Sequence, residues 1–336
     1  MRAFVQKCSI ALILIAGPYV ALVIHFAVED PFRLNTYPPY VEGYHHINRG
    51  VVTTNGYLRN ADLDAIILGN SRSISLRCDD WTASTFDAHG RNCFHFDASG
   101  DNLFGFQQKA RLIRDQNNTI DQVLIMLDDE SKQIKPIGPR EFPFVRHPVY
   151  EELSTIEYYS VFLKQYLNPK YQFAHLSKNT ALGKWWVQDF SYHECEFNSK
   201  TGDYTTAKEA WIKKDSVTYY SENWVFDDQP DSSFYTLNDN QIQSLATTVS
   251  LFESIGAQCT ILFHPRFLRT HPSAAALDRM ARQLPTVTII DASHFNKIID
   301  NPGYWYERSH FRPIAGKMIF KAIKSGELKP HALQQP

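Results

Sequence analysis

Ser71 and the pair Glu307 and His310 are the residues whose types and spacing can do chemistry. Ser71 closes the segment Ala65-Ile66-Ile67-Leu68-Gly69-Asn70-Ser71, an apolar run followed by a small residue, a polar residue and a hydroxyl. His310 closes Glu307-Arg308-Ser309-His310, directly ahead of Phe311-Arg312-Pro313. Serine is a poor nucleophile until a base takes its proton, and the base needs a third group to hold it. An acid three residues before a histidine meets that need where a helical turn or tight loop brings both to one side. The carboxylate then fixes the imidazole tautomer and stabilises the imidazolium. The chemistry these groups suit is nucleophilic acyl transfer. Each piece alone also has an ordinary reading: a serine after a strand commonly caps a helix, and an acid-x-x-His pair is commonly an exposed ion pair.

The elements that must position these groups alternate. Apolar runs predict strands at Asp64 to Leu68, Asn92 to Phe96, Val123 to Leu127, Gln258 to Phe263 and Val287 to Ile290. Helical spacing covers Leu103 to Gln116, Asn238 to Ile255, Ser273 to Leu284 and Ala315 to Lys324. Such alternation predicts a three-layer α/β domain, a parallel sheet with helices on both faces. In open α/β sheets the site lies at the C-terminal ends of the strands. Ser71 with its neighbour Arg72, Ser99-Gly100, Asp128-Asp129, His264 and the loop holding His310 all follow strands and converge on that edge. A cation held by Asp128, Asp129 and Glu130 is a competing reading of that corner, with His264 as its one further ligand. Residues 132 to about 237 carry few strand-like runs and read as a helical insertion, a cap over the site or an ordinary packing layer.

The rest of the chain bounds the setting. With 34 basic and 36 acidic residues and no basic stripe, nothing resembles a nucleic-acid footprint. From Ser9 to Ala27 no side chain carries a fixed charge, and a helix of that length spans roughly 28 Å. Arg2 and Lys7 precede it and Glu29 and Asp30 follow, which predicts a cytoplasmic N-terminus and an extracytoplasmic domain. A cleaved signal peptide competes with this anchor reading, but no clean small-x-small site stands before Glu29 and the apolar run is long for a signal core. Residues 29–60 read as an extended connector containing a solvated His45-His46 pair, and 61–330 as the α/β domain. In an oxidising compartment Cys78 and Cys93 either pair or, like Cys195 and Cys259, sit as small buried hydrophobes.

The order and spacing of these blocks resemble the SGNH (GDSL-like) hydrolase superfamily. There a Gly-Asp-Ser block follows the first strand and an Asp-x-x-His block precedes the last helix. Here they read Gly69-Asn70-Ser71 and Glu307-Arg308-Ser309-His310. Ser309-His310-Phe311-Arg312-Pro313 with Gly316 is similar to a membrane-anchored bacterial branch that includes the alginate acetylation and teichoic acid D-alanylation factors. The resemblance implies Ser71 as nucleophile, His310 as base and Glu307 as its orienting acid. It implies an oxyanion hole from the Ser71 and Gly100 amides; Asp128, Asp129, His264 and Arg72 are pocket candidates from their places after the strands, apart from the resemblance. It implies an esterase or O-acyltransferase whose partners are an acyl donor or acylated glycan and other envelope polysaccharide-assembly proteins; the membrane contact is read from residues 9–27 themselves, and no cofactor or metal is expected. The chain departs from the pattern at the third block. An amide-bearing Asn is usual there, whereas strand three ends in Leu127-Asp128-Asp129, and an ionised carboxylate cannot donate to an oxyanion. A catalytically silent glycan-binding or assembly protein on the same fold is the alternative this departure supports.

Overall fold

The computed structural model describes residues 1–35, 48–60, 62–85, 91–116, 119–136, 144–177, 180, 195–223 and 233–333. Its centre is a five-stranded parallel sheet of β1 (Ala65–Leu68), β2 (Cys93–His95), β3 (Gln122–Leu127), β7 (Gln258–Phe263) and β9 (Thr288–Asp291), in the order β2-β1-β3-β7-β9. The numbering counts three shorter strands in between, β4 (Cys195–Phe197), β5 (Tyr204–Thr206) and β6 (Ser233–Tyr235), and β8 (Thr270–Pro272) after β7.

Side chains alternate across a strand with period two, and the core divides accordingly. Ile66, Leu68, Val123, Ile125, Ile261 and Phe263 face helices Leu103–Asp115, Asp239–Glu253 and Ala274–Gln283. Ala65, Ile67, Leu124, Met126, Leu262 and Ile290 face helices Cys78–Thr85 and Pro313–Lys324. The apolar runs are long because both faces are covered. The layered α/β architecture thus matches the sequence expectation.

One apolar helix, Arg2–Glu29, is long and apolar enough to cross a membrane and continues through Pro18. Asp30 closes it in a left-handed cap, and its carboxylate accepts from the Leu34 and Asn35 amides at 2.7 and 2.9 Å. Its C-terminal end docks on the first part of the insertion. His25 Nδ1 lies 2.6 Å from the Tyr166 hydroxyl, and Phe26 and Phe32 pack with Tyr158, Phe162 and Tyr171.

The connector departs from the extended reading. Residues Arg49–Arg59 form a helix capped by Asn48, and most of it is buried. Arg49 pairs with Asp97, the Thr53 hydroxyl donates to the Asp97 carbonyl at 2.6 Å, and Tyr57 stacks on Phe96. This segment therefore packs on the turn that follows β2. Its two glycines, its β-branched run Val51–Thr54 and the polar residues buried on it hide the helix from propensity and periodicity alike. His45 and His46 lie outside the described residues.

Cys78 and Cys93 are buried free thiols in contact with each other, and no disulfide links them. Cys259 is a free, buried thiol as well. The side chain of Cys195 lies outside the described set.

The insertion has two parts. Helices Thr155–Tyr166 and Pro169–Ser177 pack beneath the apolar helix. The antiparallel β4–β5 hairpin and helices Ala207–Lys214 and Ser216–Asn223 pack instead against β2 and the segment around His310.

Candidate active site

Ser71 opens a short 3-10 turn, Ser71–Ser75, immediately beyond β1. The capping role belongs to Asn70, whose Oδ1 accepts from the Arg72 amide at 2.9 Å. The Ser71 hydroxyl is thus left to point elsewhere. The turn is tight because Gly69 carries no side chain: a Cβ there would lie 2.3 Å from the Ser73 Cβ.

Glu307 and His310 sit on a two-stranded antiparallel hairpin, β10 (Trp305–Glu307) and β11 (His310–Phe311), paired directly across it. The spacing of three is therefore a hairpin turn rather than a turn of helix. Two contacts seat the hairpin on the serine turn. The Ser75 hydroxyl donates to the Phe311 carbonyl. Gly316 lets helix Pro313–Lys324 approach, since a Cβ there would lie 2.0 Å from the Ser75 carbonyl oxygen. His310 Nε2 consequently lies 3.0 Å from Ser71 Oγ, and His310 Nδ1 is hydrogen-bonded to Glu307 Oε1.

Sequence reasoning does not reach the far side of Glu307. Lys208 Nζ, from the insertion, donates to Glu307 Oε2 at 2.8 Å. Burial opposes ionisation of Glu307, but the His310 hydrogen bond and the charges of His310 and Lys208 outweigh it and hold the carboxyl at about 2. Neighbouring residues brace the hairpin. The Arg312 guanidinium forks onto Glu209 at 3.0 and 2.9 Å, and the Tyr219 hydroxyl donates to the Tyr306 carbonyl at 2.7 Å. The one signal for these partners in the sequence is the charged stretch Lys208-Glu209, which reads equally as a solvated helix face.

Asp128, directly after β3, is buried and fully engaged. Its Oδ2 accepts from Asn70 Nδ2 at 3.0 Å and Arg72 NH1 at 2.6 Å, and lies 3.3 Å from His264 Nε2. Its Oδ1 accepts from the Glu130 and Ser131 amides at 2.9 and 2.7 Å. Burial alone would raise this carboxyl. The hydrogen bond from His264, the charge of Arg72 and the hydrogen bond from Asn70 hold it well below the usual carboxylate range. Burial drives His264 the other way, toward its neutral form. Arg266, missed in the sequence, adds a second guanidinium, 3.6 Å from Asp128 and 3.3 Å from Asp129.

Asn70, Arg72, Asp128, Asp129 and His264 are thus gathered beside Ser71, but as a salt-bridged support. Two guanidinium groups fill the place a cation would take, and among the described residues no cluster of three or more potential ligands stands ready for a metal.

Gly100 lies in the turn after β2 with φ +63°, a left-handed conformation suited to glycine. The Ala98 amide ties this turn to the Gly69 carbonyl at 3.3 Å. Gly100 lines a small cleft with Asn48, Gly50, Ser99 and Arg146, and Ser71 is not among its lining residues. No family model matches this sequence, and no curated protein matches it.

Proposed function

We propose that this chain is a membrane-anchored serine acyl enzyme of SGNH type that works outside the cytoplasm. The observation that carries the reading is the partly exposed line Ser71 Oγ to His310 Nε2 at 3.0 Å, with His310 Nδ1 held by Glu307, at the C-terminal edge of a parallel sheet. Ser71 Oγ attacks the acyl carbon of an ester as His310 Nε2 takes its proton. The bond to the leaving alcohol breaks, and the imidazolium returns that proton to the departing oxygen. Water or a glycan hydroxyl then attacks acyl-Ser71 and gives its proton to Nε2. That proton passes to Ser71 Oγ as the acyl bond breaks. The Ser71 and Gly100 amides serve the oxyanion in this scheme. The resemblance to the membrane-anchored branch supports an O-acylated envelope or exported polysaccharide as the substrate class. The helix Arg2–Glu29, with basic residues ahead of it and acidic residues behind, supports the location.

A serine-reactive fluorophosphonate probe tests the nucleophile. Wild type should label and Ser71→Ala should not; equal labelling of the two, or none of wild type, rejects it. Product masses after incubation with an acyl donor and either water or an oligosaccharide separate hydrolysis from transfer.

One observation favours a second reading. The residue standing where an amide donor is usual, Asp128, is an ionised carboxylate with its acceptors occupied. Loss of one oxyanion donor costs about a hundredfold or more in rate, and a silent glycan-binding protein would tolerate that loss. Absence of labelling in a folded wild type, together with retained binding to an acylated glycan, would establish that alternative.

A further inference from the structure

Glu307 departs from the aspartate of the resembled pattern by one methylene, and hence by one more rotatable bond between backbone and carboxylate. A carboxylate held by His310 through a single oxygen could pivot about that bond. The second oxygen is therefore decisive, and the structure gives it one described hydrogen-bond partner, Lys208 Nζ at 2.8 Å.

We infer that Lys208 is a positioning residue: from the insertion, it pins the free oxygen of Glu307 and thereby fixes the orientation and charge balance of His310. This inference rests on the acyl-enzyme reading of the same site. Exposed ion pairs usually contribute little, because two long side chains must be ordered to form them. Here much of that ordering is already done. Glu307 is fixed by His310. The helix bearing Lys208 is locked to the hairpin on both sides, by Glu209 on Arg312 and by Ile212 packed with Tyr219 and Tyr306. The lysine side chain, 44% exposed, needs only its own torsions set.

The groups facing Glu307 are His310 on its own hairpin and Lys208 and Tyr219 on the insertion. Beyond them the Arg312 and Glu209 charges neutralise each other. Lys208 is thus the fixed cation closest to the carboxylate. Its positive charge offsets part of the Glu307 charge that would otherwise stabilise a protonated His310. Without it the imidazole should hold its proton to higher pH, and the carboxylate should lose its alignment.

The test uses the full-length chain in detergent micelles, with Lys208→Met and Lys208→Arg. Two readouts are followed across pH: the rate of fluorophosphonate labelling, and the titration of His310 by NMR of ¹⁵N-labelled histidine, assigned through His310→Gln. Lys208→Met should lower the maximal labelling rate about tenfold. It should also move both the His310 titration and the acidic limb of labelling upward by about half to one pH unit. Lys208→Arg should restore both toward wild type. A Lys208→Met protein that titrates and labels like wild type overturns the inference. So does a Lys208→Arg protein as impaired as Lys208→Met. If wild type fails to label while the titration still moves with Lys208→Met, the coupling stands and the acyl-enzyme reading of Ser71 falls.

Discussion

Two Ser–His–carboxylate lines run through the same five-residue turn, and only one of them is open to solvent. Ser71 Oγ lies 3.0 Å from His310 Nε2, with Glu307 behind the imidazole. Ser73, two residues on, lies 2.9 Å from His95 Nε2, with Asp203 Oδ1 3.4 Å from His95 Nδ1. By residue type and distance the two are nearly interchangeable. They differ in what else the hydroxyl can reach and what can reach the hydroxyl. Ser73 and His95 are fully buried, and the Ser73 proton has a backbone acceptor, the Asn70 carbonyl, at 2.7 Å. The Ser71 hydroxyl has His310 as its one hydrogen-bond partner among the described residues, and the His310 side chain is 29% exposed. Asp203 is shared among the Cys78 amide, the Thr201 hydroxyl and His95, which fits a strut between the β4–β5 hairpin and the sheet. Geometry alone does not tell the two hydroxyls apart; access and an uncontested proton do.

The strongest way to break this comparison is to remove each serine. Ser71→Ala should abolish probe labelling, a loss of at least about a thousandfold. Ser73→Ala should still label, but leaves the buried His95 nitrogen unpaired and should cost about 1–3 kcal/mol in denaturant unfolding. The reverse pattern would exchange the roles of the two lines. The carboxylates sharpen the same contrast. Glu307→Gln should lower labelling by on the order of a thousandfold, because an amide can present the wrong group to Nδ1 and select the wrong tautomer. Asp203→Asn should leave labelling within a few-fold and lower the melting temperature. A smaller effect belongs to Gly316→Ala. The added carbon collides with the Ser75 backbone, so the last helix must retreat and carry His310 with it. Labelling should fall on the order of a hundredfold, with about 1–3 kcal/mol of stability lost to overpacking.

Much of the frame behind this contrast can be read from the chain. Val-Leu-Ile-Met-Leu at 123–127 and Ala-Ile-Ile-Leu at 65–68 announce buried strands because both sheet faces are covered, and the polar residues that follow them mark the edge where Ser71 and Asp128 sit. Other parts are hidden for physical reasons. The helix Arg49–Arg59 is enclosed by polar as well as apolar partners, so it lacks the one-sided pattern that periodicity detects. Lys208 and Glu307 are 99 residues apart, and their meeting depends on how the insertion folds back. Ser73–His95–Asp203 is equally long-range, and without burial it would read as a second catalytic candidate. Asp128 reads from the sequence as a pocket or cation residue; the strand order brings Arg72 and His264 to its edge, but that Arg72 and Arg266 turn onto its carboxylate is a side-chain packing result that spacing does not supply.

The mildest prediction concerns pH and separates the two members of the exposed line. Glu307 has its carboxyl lowered to about 2 from an ordinary value of 4.5. A group depressed on folding adds stability above its unfolded pKa, and that contribution is lost as pH falls through the folded value. Glu307 therefore stabilises the folded chain above about pH 4.5, and the contribution fades between there and about 2. Above about pH 4.5 Glu307 therefore stays ionised. The acidic limb of labelling then reports one proton, taken up by the imidazole of His310, and its slope should be one. A slope of two, or a limb that Lys208→Met leaves unmoved while Glu307→Asp shifts it, would mean that the carboxylate titrates with the base, and the Lys208-pinned picture of Glu307 would have to be given up.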